Sequence, residues 1–158
     1  EAEILAMYNP GTHANKWKPE LADFGDAAMG QMFVTQPMLD KEQFYPNMDG
    51  PAVFKTAVVK FPEVIMESLN ANGLTPQDLQ LLIPHQANLR ISQFVQQRLK
   101  LRDDQVYNNI QQYGNTTAAS VPIALCEAWE QGRVQKGDLV CLAAFGSGFT
   151  WASALMRW

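Results

Sequence analysis

The residues of this chain best suited to chemistry fall at corners rather than inside regular elements. Pro84-His85-Gln86-Ala87-Asn88 places an imidazole between an apolar run and a helical pattern. Tyr113-Gly114-Asn115-Thr116-Thr117 places a carboxamide at a second corner, and Gly146-Ser147-Gly148 offers backbone N–H groups at a tight turn. An imidazole, a carboxamide and exposed amides are hydrogen-bond donors without a nucleophile among them. Gathered at one edge of a sheet, they suit the stabilisation of negative charge developing on a carbonyl oxygen. The other histidine, His13, has no partner at ligand spacing and reads as an ordinary surface residue.

The elements that must position these groups follow from periodicity. Leu79 to Ile83 is short, apolar and stopped by Pro84, so it reads as a buried strand. Beyond it Ile91, Phe94, Val95 and Leu99 recur at helical spacing, with Arg90, Gln93, Gln97 and Arg98 on the other side. His85 therefore occupies a strand-to-helix corner, where ligands collect in open α/β sheets. Asn88 reads as the residue that organises the helix start. Upstream, Val53, Phe54, Ala57, Val58, Phe61, Ile65 and Leu69 mark one helical stripe with Gly73 as its cap, and Pro62 is expected to kink or divide it. Thr75-Pro76-Gln77-Asp78 resembles a helix start. A strand is expected over Val106 to Ile110, then a helix carrying Val121, Leu125, Ala128 and Trp129 and closed by Gly132, with its first turn left open by Pro122. Asp138 to Phe145 reads as a strand returned by Phe149 to Trp158. Ile4 to Tyr8 suggests a short strand, whereas His13 to Pro51 is broken by prolines and glycines. Strands and helices alternating into a closing hairpin favour a layered α/β sheet.

Composition bounds the function classes. With 158 residues, one domain with a sizeable core is possible, and a net charge of -4 argues against a nucleic-acid surface. No apolar run approaches the roughly 20 residues a membrane helix needs. Cys126 and Cys141 lack metal-ligand spacing and read as reduced core residues of a cytoplasmic protein, and no metal site is expected. The opening Glu1-Ala2-Glu3-Ile4 has neither an initiator methionine nor the layout of a signal peptide, as though the chain began partway through something longer.

Pro84-His85-Gln86-Ala87-Asn88-Leu89-Arg90-Ile91, then Tyr113-Gly114-Asn115-Thr116-Thr117-Ala118-Ala119-Ser120-Val121-Pro122, then Phe145-Gly146-Ser147-Gly148-Phe149-Thr150-Trp151 resemble, in order, the signature stretches of β-ketoacyl-acyl carrier protein synthase III. That family initiates type II fatty acid synthesis and belongs to the thiolase-like superfamily. The resemblance runs from about Met48 to the C-terminus. It implies the C-terminal half of a thiolase-like α/β fold, a mixed sheet flanked by helices, with residues 1–50 a loop-rich start and 51–158 the catalytic half-domain. In the whole enzyme a cysteine accepts an acyl group from acyl coenzyme A, and the carbanion from decarboxylated malonyl-acyl carrier protein attacks it.

Carried over residue by residue, the resemblance makes His85 and Asn115 donors to the malonyl thioester oxygen, with His85 a neutral imidazole. Ser147 falls in the turn that completes the oxyanion hole; Met48, Gly50 and Phe145 fall beside the substrate tunnel. Lys55, Arg90 and Arg98 fall where relatives present cations to the acidic acyl carrier protein. No resident cofactor is implied, because coenzyme A thioester and the carrier phosphopantetheine are substrates. The expected partners are acyl carrier protein, acyl-CoA, malonyl thioester, the missing N-terminal half with the nucleophilic cysteine, and a second copy in a homodimer. The chain alone is then expected to be inactive. A related acyltransferase or secondary-metabolite condensing enzyme, and a noncatalytic partner domain, are the alternatives.

Overall fold

The computed structural model describes Leu5–Ala6, residues 47–146 and residues 149–158. The expectations for His13 and Ser147 lie outside the described residues. Contacts divide the chain into two units, Glu1–Val53 with Ser147–Phe149, and Phe54–Gly146 with Thr150–Trp158. In the first, β1 (Leu5–Ala6) pairs antiparallel with β2 (Asn47–Met48). Helix α1 (Gly50–Ala71) begins there, with Asp49 Oδ1 accepting the Ala52 N–H at 3.0 Å and satisfying one of the free donors of the first turn.

The second unit is built on a three-stranded sheet. Strand β3 (Leu81–Pro84) runs parallel to β4 (Leu139–Gly146), which runs antiparallel to β5 (Thr150–Arg157). The expected first strand is real but begins at Leu81, two residues late. All of β3 is buried, so its run of Leu81, Leu82 and Ile83 reads as continuous rather than alternating. Leu81, Ile83 and Val140 share a core cluster with Tyr107, Ala124, Ala128 and Val134. That cluster seats α4 (Ser120–Glu130) on one face of the sheet. Each such buried aliphatic side chain contributes about 1.5–3 kcal/mol. On the opposite face, Ser153 Oγ donates to the Val64 carbonyl of α1 at 2.8 Å, and Lys60 lies 5.6 Å above the Trp151 ring. The sheet is thus flanked by helices on both sides, as the pattern of elements suggested.

Helix α1 buries Val53, Ala57, Phe61, Ile65 and Leu69, one stripe recurring every fourth residue. Pro62 does not divide it. Proline removes a single hydrogen bond there, while the stripe continues to be buried on both sides of it. Gly73, at φ +66, takes the left-handed conformation that ends the helix, and the Leu74 N–H reaches back to the Leu69 carbonyl at 2.9 Å. Thr75 to Asp78 forms only a 3₁₀ turn, Pro76–Asp78, rather than a helix start; Asp78 Oδ2 accepts from the Thr75 backbone and hydroxyl at 2.7 Å each.

Helix α2 (Leu89–Leu99) buries Ile91, Val95 and Leu99, but Phe94 is 40% exposed and drops out of the expected stripe. Ile91, Ser92, Val95 and Leu99 already span its inner face, and residue 94 lies beyond that arc. Trp129 leaves the stripe of α4 in the same way, at 55% exposed, with Ala124 and Ala128 taking the contact. Cys126 is likewise exposed, which corrects its reading as a core residue; Cys141 is buried as expected. Pro122 sits in the first turn of α4, where no intrahelical N–H is needed.

The expected strand over Val106 to Ile110 does not form. Leu82 and Val106 make an isolated parallel bridge, and the Tyr107 N–H donates to the Leu82 carbonyl at 3.0 Å. The next donors are taken by a side chain instead: Asn109 and Ile110 N–H both donate to Gln86 Oε1, at 3.0 and 3.1 Å. The chain then turns into the short helix α3 (Ile110–Tyr113). Gly114, at φ +67, ends it in a conformation that a side chain would strain.

Candidate active site

His85 follows the last residue of β3, and its backbone N–H donates to the Ala143 carbonyl of β4 at 2.7 Å. The parallel register puts the carboxyl ends of β3 and β4 side by side, so His85 and the Gly146 end of β4 share one edge. The segment through Val106 runs parallel to β3 on its other side and feeds α3 and Asn115 toward that edge. The His85 corner and the Gly146 end of β4 therefore lie at one edge, with the segment that leads to Asn115 running beside β3.

Both polar side chains are held by one atom. His85 Nδ1 lies 2.6 Å from Ser120 Oγ. Asn115 Oδ1 accepts the Thr117 N–H at 2.9 Å, which points the carboxamide NH₂ away from the turn. Among the described residues, His85 Nε2 and Asn115 Nδ2 have no hydrogen-bond partner. Thr117 and Ser120 bracket one element, the 3₁₀ turn Thr117–Ala119 that leads into α4. Asn115 is exposed and His85 is half-buried. Burial pushes the His85 imidazole below its ordinary pKa and favours the neutral ring.

Gln86 and Ser120 stand within the quoted motifs but were given no role by sequence reasoning. Gln86 is 3% exposed, and its Nε2 donates to the carbonyls of Pro84 at 2.7 Å and Tyr107 at 3.3 Å. With the two bonds to Oε1, one buried amide ties the His85 corner to the start of α3. A buried glutamine beside a corner histidine was the available signal, since buried amides are nearly always bonded. Below α3, Glu127 of α4 accepts from Asn109 Nδ2 at 2.6 Å and from the Tyr113 hydroxyl, holding the segment before Gly114 from the other side. Hydrogen bonds from Tyr113 and then Asn109 hold the Glu127 carboxyl below its usual range.

Phe145 is buried in β4 and stacks on Trp151 of β5, ring centroids 6.2 Å apart and planes 6° from parallel. Met48 is exposed at the end of β2, and Gly50 opens α1. Lys55, Arg90 and Arg98 are exposed, and among the described residues none is in an ion pair. Arg98 lines a surface groove of about 440 Å³ with Pro62, Glu63, Met66, Pro76 and Lys100. Neither cysteine offers a ready thiolate: burial pushes Cys141 up to about 12, and the charge of Glu130 raises Cys126. Among the described residues no group of three or more His, Cys, Asp or Glu could hold a metal ion, and no helix is long and apolar enough to cross a membrane.

Residues 69–158 match the family model described as 3-oxoacyl-[acyl-carrier-protein (ACP)] synthase III C terminal. A beta-ketoacyl-[acyl-carrier-protein] synthase III of Rhodospirillum centenum is 53% identical over 112 residues, covering 71% of this chain and 35% of its own length. One of Roseiflexus sp. is 46% identical over 133 residues, covering 84% of this chain and 40% of its own. The solved synthase III of Thermus thermophilus superposes with a TM-score of 0.75 at 35% identity, over 99% of this chain and 42% of that one. The synthase III of Pseudomonas aeruginosa PAO1 does so with a TM-score of 0.77 at 32% identity, over 100% and 40%. The chain thus spans 35% and 40% of the length of the two curated relatives.

Proposed function

The chain belongs to the 3-oxoacyl-[acyl-carrier-protein] synthase III family, and from that premise we propose that it supplies the malonyl-activating half of a decarboxylative Claisen condensation. In this reading a malonyl thioester on acyl carrier protein loses its carboxylate: the bond from that carbon to C2 breaks, carbon dioxide leaves, and the electron pair moves onto the thioester oxygen. His85 through Nε2 and Asn115 through Nδ2 donate hydrogen bonds to that oxygen. The enolate carbon then attacks an acyl thioester on a cysteine, and the cysteine thiolate departs. The observation that carries the reading is that each side chain is fastened by one atom, His85 Nδ1 at Ser120 and Asn115 Oδ1 at the Thr117 N–H, with its other nitrogen unpaired among the described residues. Preorganised donors of this kind typically contribute a hundredfold or more in rate each.

The nucleophile in this account comes from outside the 158 residues, because Cys141 is buried and Cys126 has a raised thiol. The acyl carrier protein and acyl-CoA are substrates, and the account needs no resident cofactor. Lys55, Arg90 and Arg98 would meet the acidic carrier as exposed cations not held in ion pairs among the described residues. Ser147 would complete the oxyanion hole and Met48, Gly50 and Phe145 would line the substrate tunnel, in a cytoplasmic homodimer. The test is steady-state formation of 3-oxoacyl product from acyl-CoA and malonyl-acyl carrier protein. Product from the full-length protein and none from the isolated chain would support the account; product from the chain alone would overturn the placement of the nucleophile.

A further inference from the structure

We infer that Ser120 fixes His85 in the tautomer that carries its hydrogen on Nε2, and so serves as the positioning residue for that donor. This rests on the reading of His85 as a donor through Nε2. Ser120 is 2% exposed, so its hydroxyl cannot turn to water. Its oxygen already accepts the Gln86 backbone N–H at 3.2 Å. Its own proton needs an acceptor, and among the described residues the acceptor within reach is His85 Nδ1, at 2.6 Å. A ring nitrogen that accepts an O–H carries no hydrogen, so the single hydrogen of the neutral imidazole sits on Nε2. The reverse arrangement, Nδ1–H donating into Oγ, gives the serine oxygen two incoming N–H donors and strands the hydroxyl proton in a buried place. The serine is itself set by the fold, as the first residue of α4, immediately after the turn whose Thr117 N–H holds Asn115. One turn therefore orients both outward nitrogens, and Ser120 chooses which end of the ring is the donor.

The chain contains only two histidines, so the tautomer can be read directly. Long-range ¹H–¹⁵N spectra of the ¹⁵N-labelled chain, with His13→Gln to assign the second ring, report the state of each nitrogen. The expected pattern for His85 is a pyridine-like Nδ1 and a pyrrole-like Nε2, with the two shifts drawing together in Ser120→Ala as both tautomers become populated. A protonated Nδ1 in the unsubstituted chain overturns the inference, and so does an unchanged single tautomer in a folded Ser120→Ala variant. Should Ser120→Ala fail to fold, the unsubstituted spectrum decides alone. The readout needs no turnover, so it separates this inference from the proposed reaction: activity that survives loss of the imidazole would overturn the reaction and leave the tautomer standing.

Discussion

The side-chain carbonyl of Gln86 accepts the backbone N–H of Ile110 at 3.1 Å, joining the corner that carries His85 to the helix that precedes Asn115. The same amide also takes the Asn109 N–H and gives its own hydrogens to Pro84 and Tyr107. Replacing Gln86 with leucine leaves buried donors and acceptors without partners. The expected cost is about 2–4 kcal/mol in urea unfolding, in line with the penalty for unsatisfied buried groups. A loss below about 0.5 kcal/mol would show that these groups find other partners.

In the proposed reaction Asn115 divides its work between two atoms. Asn115→Asp keeps an oxygen for the Thr117 N–H but replaces the outward donor with a negatively charged acceptor. Thermal unfolding is expected to change little while malonyl decarboxylation by the full-length protein is lost. Retained decarboxylation in a well-folded Asn115→Asp protein would remove Nδ2 from the mechanism.

The pH dependence of His85 follows from its burial. Its folded pKa is pushed below the ordinary value of 6.5, so below that pH the unfolded chain binds a proton that the folded chain does not. The stability from holding the ring neutral is complete above about 6.5 and is lost as pH falls toward the folded value. An NMR titration should place the His85 midpoint under 6.5. A midpoint at or above 6.5 would mean that burial does not lower the His85 pKa.

The cysteines make a simpler prediction. Cys126 is exposed with a thiol raised by Glu130, and Cys141 is buried with a thiol pushed up to about 12. A thiol reagent should modify one cysteine slowly in the folded protein and both in denaturant, and Glu130→Gln should quicken the first. Rapid modification of Cys141 under native conditions would mean that β4 opens.

What the sequence made legible was what local pattern controls. The apolar run before Pro84, the stripe of α1, the cap at Gly73 and the hairpin of β4 and β5 all follow from neighbours within a few residues, and so does the placing of His85 and Asn115 at corners. Asn88 caps α2 as its type and position suggested, accepting the Arg90 N–H at 2.9 Å. What failed depended on distant partners. Val106 to Ile110 has strand-like residues, but the Gln86 side chain, 23 and 24 residues away, takes the Asn109 and Ile110 N–H groups that a ladder would need. Phe94, Cys126 and Trp129 obey helical periodicity only approximately, and the face that each helix buries is set by what packs on it. Ser120 was invisible as a partner of His85 because 35 residues separate them.

The three exposed cations offer another check. Reversing Lys55, Arg90 and Arg98 to glutamate together should raise KM for malonyl-acyl carrier protein at least tenfold, with less effect in high salt, and leave kcat near its original value. An unchanged KM would mean that the carrier docks elsewhere.

The most direct measurement of the central claim is malonyl-acyl carrier protein decarboxylation by the full-length protein, with His85→Ala and Asn115→Ala compared against the unsubstituted enzyme. Two outward donors on one developing oxyanion predict a loss of about a hundredfold or more in each variant, with folding intact. Decarboxylation that survives both substitutions would contradict the account and assign these two side chains to some other use of the same fold.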